Sequence, residues 1–138
     1  MACFVDTNIL LYAKLTDQNS IPKRHVAEGI LQRPDCIFSV QVMQEFYVQA
    51  TRVNRPGGID HDRAVELIKS WSRFQVRNLT IDVLTAALDI TARCHFSYWD
   101  SAIVAATLIA KCDTLFTEDL HHGQIIDGLK IVNPFKDD

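Results

Sequence analysis

No apolar run in the sequence approaches the ~18 to 20 residues that a helix needs to cross a bilayer. The first residues also lack a basic flank ahead of an apolar core, the pattern of a secretory signal. A cytoplasmic protein without membrane contact is therefore expected. The four cysteines, Cys3, Cys36, Cys94 and Cys112, include no C-x2-C pair. That excludes a zinc knuckle, gives no sign of a disulfide framework, and leaves buried free thiols as the expectation. There is no internal repeat, linker or low-complexity stretch, so the 138 residues are expected to form a single domain over 1–138.

Nor is there an overall excess of positive charge. The net charge of −3 argues against a nucleic-acid binder until the charges are placed along the chain. Between Phe46 and Ile81, six basic residues (Arg52, Arg55, Arg63, Lys69, Arg73, Arg77) face three acidic ones (Asp60, Asp62, Glu66). Such a stretch can follow a phosphate backbone or can simply be a solvated helix surface.

What is present is an ordinary globular composition, 48% hydrophobic and 22% charged, which supplies a core and excludes extended disorder. The patterning alternates strands with helices. Ala2 to Val5 reads as a strand, followed by a helix over Asn8 to Leu15. Ser20 and Pro22 open a second helix that runs to Arg33, and Cys36 to Phe38 reads as the next strand. Ser39 is placed to cap a helix over Val40 to Val53; the loop Asn54 to Gly58 follows, and Asp60 can cap a helix to Phe74. A strand near Gln75 to Leu79, a helix from Thr80 or Asp82 to Cys94 or His95, and an alanine-rich helix through Ala102 to Ala110 come next. Thr114 to Phe116 and Leu129 to Val132 are the last strands. Alternation with connections long enough for crossovers implies a parallel sheet covered on both faces.

Ligands of open α/β sheets bind beyond the carboxyl ends of the strands. The residues that fall there are acidic. Asp6 ends the first strand, Glu45 lies in the helix after the second, Asp100 sits in the first turn of the alanine-rich helix, and Asp119 follows Thr114 to Phe116. Taken singly, Asp6 reads equally well as a helix cap and Asp100 as a complement to a helix dipole. Taken together they imply one site, and crowded carboxylates repel unless a cation joins them. An all-oxygen donor set suits Mg²⁺ or Mn²⁺. An ion of that kind lowers the pKa of a bound water and steadies the oxyanions of attack on a phosphodiester. His121 and His122, adjacent in a polar loop, are expected to face solvent.

Asp6-Thr7-Asn8 after a strand, Glu45 in "QVMQEF", Asp100 in "YWDSAIVAA" and Thr117-Glu118-Asp119 in "LFTED" together resemble the PIN-domain family of ribonucleases, and within it the VapC toxins of bacterial toxin–antitoxin pairs. The resemblance spans residue 4 to about residue 120, with all four motifs in the family's order. It implies a three-layer α/β/α PIN-like domain with a mainly parallel central sheet, Mg²⁺- or Mn²⁺-dependent cleavage of RNA, a cognate antitoxin protein and a homodimer. Carried over by position, Asp6, Glu45, Asp100 and Asp119 become the catalytic, metal-binding quartet. Asn8 and Thr117, and more weakly Ser101, become polar residues that orient those acids. The T-x-D pattern favours Asp119 over Glu118. Arg52 and Arg55, beside the glycine loop, are the candidate RNA-facing rim.

Two other classes, one an enzyme and one a signalling domain, fit less well. An aspartate-nucleophile phosphatase needs D-x-D after the first strand, where Asn8 takes the second position, and a phosphoacceptor receiver needs an acidic pair that is missing. A catalytically inactive PIN-fold module for RNA or protein binding is the remaining alternative.

Overall fold

The computed structural model describes residues 2–17 and 20–136, so the outermost residues of the expected domain lie outside it. Strand β1 spans Cys3–Val5 and is buried at every residue. Asp6 follows in an extended conformation, and its Oδ1 accepts from the Thr7 amide at 2.7 Å, starting helix α1 at Thr7–Lys14. Helix α2, Ile21–Leu31, carries its proline in the first turn, where no amide partner is lost. Strand β2, Cys36–Ser39, is again buried throughout, and Ser39 Oγ accepts from Val42 N at 3.3 Å to cap α3.

Helix α3 covers Val40–Ala50, three residues shorter than its sequence pattern suggests. The chain turns instead, with Asn54 in the left-handed region at φ 64°, a conformation asparagine tolerates better than most side chains. Asp60 caps α4, His61–Ser70, which also stops early and passes into a 3-10 turn over Trp71–Arg73. That turn drives the fully buried Trp71 ring edge-on against Phe46 and Phe38, with centroids 4.8 and 6.1 Å apart. Packing an indole against two phenyl rings offsets the loss of regular helix.

Strand β3 is Gln75–Arg77. Thr80 caps α5, Ile81–Cys94, which ends at His95 with φ 60°. Ser97 caps α6, Tyr98–Ile109, and strands β4 (Thr114–Phe116), β5 (Ile125–Ile126) and β6 (Leu129–Val132) complete the chain. The sequence reading omits β5. It pairs antiparallel with β6 through Asp127-Gly128, both at positive φ, a dipeptide that suits a tight hairpin turn.

The six strands form one sheet in the order β3-β2-β1-β4-β6-β5, parallel except for β5. Complete burial of β1 and β2 requires cover on both faces, which the helices provide in a three-layer α/β/α arrangement. The chain leaves β1 toward β2 and β3 on one side and returns to β4 on the other. The strand order thus reverses between β1 and β4, and side chains just beyond those two strands meet in the crevice that this reversal opens.

Candidate active site

Register brings the two strand ends together. Val5 pairs with Phe116, so the next residues, Asp6 and Thr117, face each other across the crevice. Thr117 Oγ1 donates to Asp6 Oδ2 at 2.8 Å, while Asp6 Oδ1 is held by the Thr7 amide. Capping and site membership are therefore one arrangement for Asp6: the cap fixes its rotamer. Asn8, one position further into α1, donates from Nδ2 to Asp119 Oδ2 at 3.1 Å and to Thr117 Oγ1 at 3.3 Å. Its Oδ1 accepts from the Glu118 amide at 3.4 Å, fastening the 117–119 turn to α1.

Glu45 reaches the same crevice from α3. Its Oε2 accepts from Thr7 Oγ1 and its Oε1 from Gln41 Nε2, both at 2.9 Å. Gln41 also donates to the Trp99 carbonyl at 3.3 Å, which ties α3 to the first turn of α6, where Asp100 sits. Thr7 and Gln41, both buried, were missed as site residues by the sequence reading. Thr7 was passed over because a threonine after a strand is fully explained as a cap. Gln41 had one signal: it stands one helical turn before Glu45, the spacing at which side chains meet.

Charge links the four acids. Burial is the main reason that the Asp6 carboxyl titrates at about 7, with the negative charges of Asp119 and Glu45 adding to it and the bonds from Thr117 and Thr7 opposing it. Asp100 is raised by burial and by Glu45. Asp119 is raised by desolvation, then by Asp100, Glu118 and Glu45. Among the described residues no lysine or arginine forms an ion pair with any of the four.

Glu118 is the fifth acid of the neighbourhood and it is engaged elsewhere. Tyr12 OH donates to its Oε1 at 2.6 Å and Lys23 Nζ pairs with its Oε2 at 3.0 Å, which leaves Asp119 as the acid that Asn8 presents to the others. Ser101 is a correction. Although it follows Asp100, its fully buried hydroxyl accepts from Thr91 Oγ1 at 2.7 Å on the α5 side, because successive residues of a helix point about 100° apart. His122 accepts from the Asn133 amide at 3.0 Å through Nδ1.

The basic stretch does not form one stripe. Arg63 pairs with Glu66 at 2.7 Å, Arg73 lies over the Phe74 ring at 4.5 Å, and Arg77 bonds Gln75 at 3.3 Å. Arg55 and Arg52 are different: each borders a cavity that Glu45 also lines, Arg55 on the side of Thr7, Asn8 and Asp119, Arg52 on the side of Gln41 and Trp99.

Oxygens bound directly to one Mg²⁺ stand at most ~4.2 Å apart, twice the ~2.1 Å bond. No three of the acids come within 4.8 Å of one another; among the described residues only Cys3, Asp35 and Cys36 do, at the opposite end of the sheet. The acidic crevice is thus wider than a cage for a bare ion. It suits a hydrated hard ion held directly by one or two carboxylates and through water by the rest, the usual habit of Mg²⁺.

An acidic crevice at the switch point of an α/β/α domain lies where ligands of open α/β sheets bind. Residues 3–126 match the PIN domain family, and the chain belongs to it. Solved structures agree in fold. The chain is similar to a toxin–antitoxin complex from Klebsiella pneumoniae (22% identity, TM-score 0.70, covering 97% of this chain and 98% of that one). It is similar also to Mycobacterium tuberculosis VapC20, a sarcin–ricin loop cleaving toxin (19%, TM-score 0.66, 86% and 92%). VapBC-1 from nontypeable Haemophilus influenzae is a third (18%, TM-score 0.66, 99% and 100%). No protein of curated function matches the chain.

Proposed function

We propose that this single-domain protein is a VapC-type toxin, a Mg²⁺- or Mn²⁺-dependent endoribonuclease of the cytoplasm that hydrolyses RNA phosphodiesters and is neutralised by a cognate antitoxin. The observation that carries the reading is that Asp6, Glu45, Asp100 and Asp119, from four separate segments, border one crevice and that none of them forms an ion pair with a lysine or arginine among the described residues. VapC20 is a sarcin–ricin loop cleaving toxin and the Klebsiella structure is a toxin–antitoxin complex, which supports carrying both the activity and the partner to this chain.

In this reading the four acids hold the ion and need no side-chain nucleophile. An ion held there would supply an activated water and would neutralise charge on the phosphate. The chain's own contribution is orientation. Thr117 and the Thr7 amide fix both oxygens of Asp6, Thr7 and Gln41 fix both of Glu45, and Asn8 holds Asp119. One of these carboxylates can take the proton that such a water gives up.

Exposed apolar residues flank the crevice. Val48, Leu79, Ile81, Leu84 and Trp99 border shallow cavities shared with Gln41 and Gln44, and a surface of that kind supports pairing with a second copy and with an antitoxin segment.

The test is cleavage of total RNA by the purified chain with Mn²⁺, with EDTA, and with Asp6→Asn and Asp100→Asn. Cleavage that needs the metal and both acids is expected. A folded chain that binds RNA or antitoxin but cuts nothing under any metal supports the inactive-module alternative instead. In cells, expression is expected to arrest growth and the adjacent reading frame to relieve it.

A further inference from the structure

The glycine-rich loop after α3 has no part in the reading above, yet it is built with care. Gly57 lies at φ +70°, and a Cβ there would stand 2.5 Å from the Asp17 amide nitrogen and 2.7 Å from that of Thr16. Only glycine lets the loop press on the chain that leaves α1. The Thr16 amide donates to the Gly57 carbonyl at 3.4 Å across this contact. Within the loop, the Gly58 amide donates to the Arg55 carbonyl and the Ile59 amide to the Ala50 carbonyl, both at 2.9 Å. The loop is therefore a fixed wall, and the cavity behind it, about 490 Å³, runs from Thr7, Asn8, Glu45 and Asp119 to Arg55 and Pro56.

Resting on the ribonuclease reading, we propose that this cavity is a subsite for one unpaired nucleotide next to the scissile phosphate, with Arg55 and Gln49 as the residues that read it. The walls combine apolar Leu11 and Leu15, rigid Pro56 and the rim of Tyr12, whose ring also meets Lys23 Nζ at 4.7 Å and Phe135 edge-on at 5.0 Å. At the far end Arg55 Nη1 donates to Gln49 Oε1 at 3.2 Å. That bond spends the amide's acceptor and leaves its NH₂ and the remaining guanidinium N–H groups as a donor edge. A donor edge recognises acceptors, namely a phosphate oxygen or the O6/N7 side of a purine. The cavity is acidic where Glu45 and Asp119 line it, and Arg55 is the cation among its lining residues, which also include Asp17 and Glu118. An RNA strand satisfies both ends, whereas a basic peptide drawn to the acids would meet Arg55 as a like charge. Unstacked bases held in pockets are the usual route to sequence-specific RNA recognition.

The experiment uses a 5′-fluorescein random-sequence RNA 12-mer with the wild-type chain and with Arg55→Ala, Arg55→Lys, Gln49→Ala and Gly57→Ala. Binding is read by anisotropy in Ca²⁺, and cleavage in Mn²⁺ by sequencing the cut ends. A preference at one position beside the cut is expected in the wild type and is expected to flatten in Arg55→Ala, Gln49→Ala and Gly57→Ala. For Arg55→Ala, binding should weaken about tenfold, with the loss appearing in KM and not in kcat, and Arg55→Lys should not restore the preference. Cleavage with an unchanged preference and KM in Arg55→Ala and Gln49→Ala overturns the subsite and leaves the nuclease standing. RNA binding that depends on Arg55 without any cleavage keeps the subsite and removes the nuclease. An arginine-containing peptide that loses affinity in Arg55→Ala while the RNA does not assigns the cavity to a protein partner and overturns the proposal.

Discussion

The two ends of the central sheet hold the same kind of group in opposite electrical circumstances. At the amino end, Asp35 precedes β2 and takes a bidentate bond from Arg33, at 2.9 and 2.8 Å, that holds its carboxyl below the usual range. Beside it, Cys3 and Cys36 pack as buried thiols with sulfurs 3.8 Å apart. At the carboxyl end, Asp6 is buried with neutral donors only and its carboxyl rises to about 7. One acid has been given a cation by the fold and the other has been denied one. A carboxylate buried without a cation is costly unless its charge is met from outside the chain or it keeps its proton.

The widest separation between the ends is expected in catalysis. Asp6→Asn or Asp100→Asn should lower RNA cleavage by about a thousandfold, the several kcal/mol that charge stabilisation by a correctly held ion is worth, while circular dichroism stays unchanged. Asp35→Asn should leave the rate within a factor of about two, because its partner Arg33 lies at the other end of β1. Equal losses from Asp6→Asn and Asp35→Asn, measured on one RNA substrate, would break the comparison.

The next tier concerns the donors that aim the acids. Thr117→Val, Asn8→Ala and Gln41→Ala should each cost about 10- to 100-fold in metal affinity or activity, the usual toll for losing an outer partner of a ligand. Ser101→Ala should cost nothing in metal affinity, since its hydroxyl serves Thr91. Titration of Mn²⁺ into each variant, followed by calorimetry, separates the two groups; a Ser101→Ala loss as large as that of Thr117→Val would reverse the assignment made here.

These donors also mark where sequence reasoning stopped. The four acids were legible as candidates, Asp6 and Asp119 because each follows a strand, Glu45 and Asp100 from their places in the helices that hold them. Asn8 and Thr117 were legible through the same motifs. Gln41 and Thr7 were not, because each has a sufficient local explanation, helix surface or cap, and only the three-dimensional meeting of α1, α3 and α6 shows the second use. Ser101 failed for the converse reason: nearness to Asp100 in sequence puts it on a different side of the helix. In the fold, the β5–β6 hairpin escaped notice although Asp127-Gly128 signals it, since two residues of strand carry too little pattern to stand out.

A smaller effect distinguishes the ends by the sign of their pH dependence. Asp6 titrates at about 7 in the fold against 3.8 for the ordinary group. Between those values the folded chain keeps a proton that the unfolded chain has released, so with EDTA present stability should fall as pH rises from about 4 to 7 and then level off. Asp35 is lowered, so its contribution is present above its ordinary value and is lost as pH falls below it. Thermal melts from pH 4 to 8 should show a decline of several degrees that Asp6→Asn flattens and Asp35→Asn does not. Mn²⁺ should restore the loss progressively toward pH 7, because only the ionised acids bind it. A decline that Asp6→Asn leaves intact would move its origin away from Asp6.

The smallest expected change lies wholly at the amino end. Cys3→Ala with Cys36→Ala removes two sulfurs from a closed region of the core, and the resulting cavity should lower stability by about 1 to 3 kcal/mol with cleavage unaltered. Denaturant melts and the RNA assay together measure both quantities. Unaltered cleavage per folded molecule means that the core beneath β1 and β2 sets how much protein is folded and leaves the chemistry to the opposite edge. A fall in turnover per folded molecule would instead mean that β1 transmits a shift along its three residues to Asp6, which its in-register bonds to β2 and β4 should prevent.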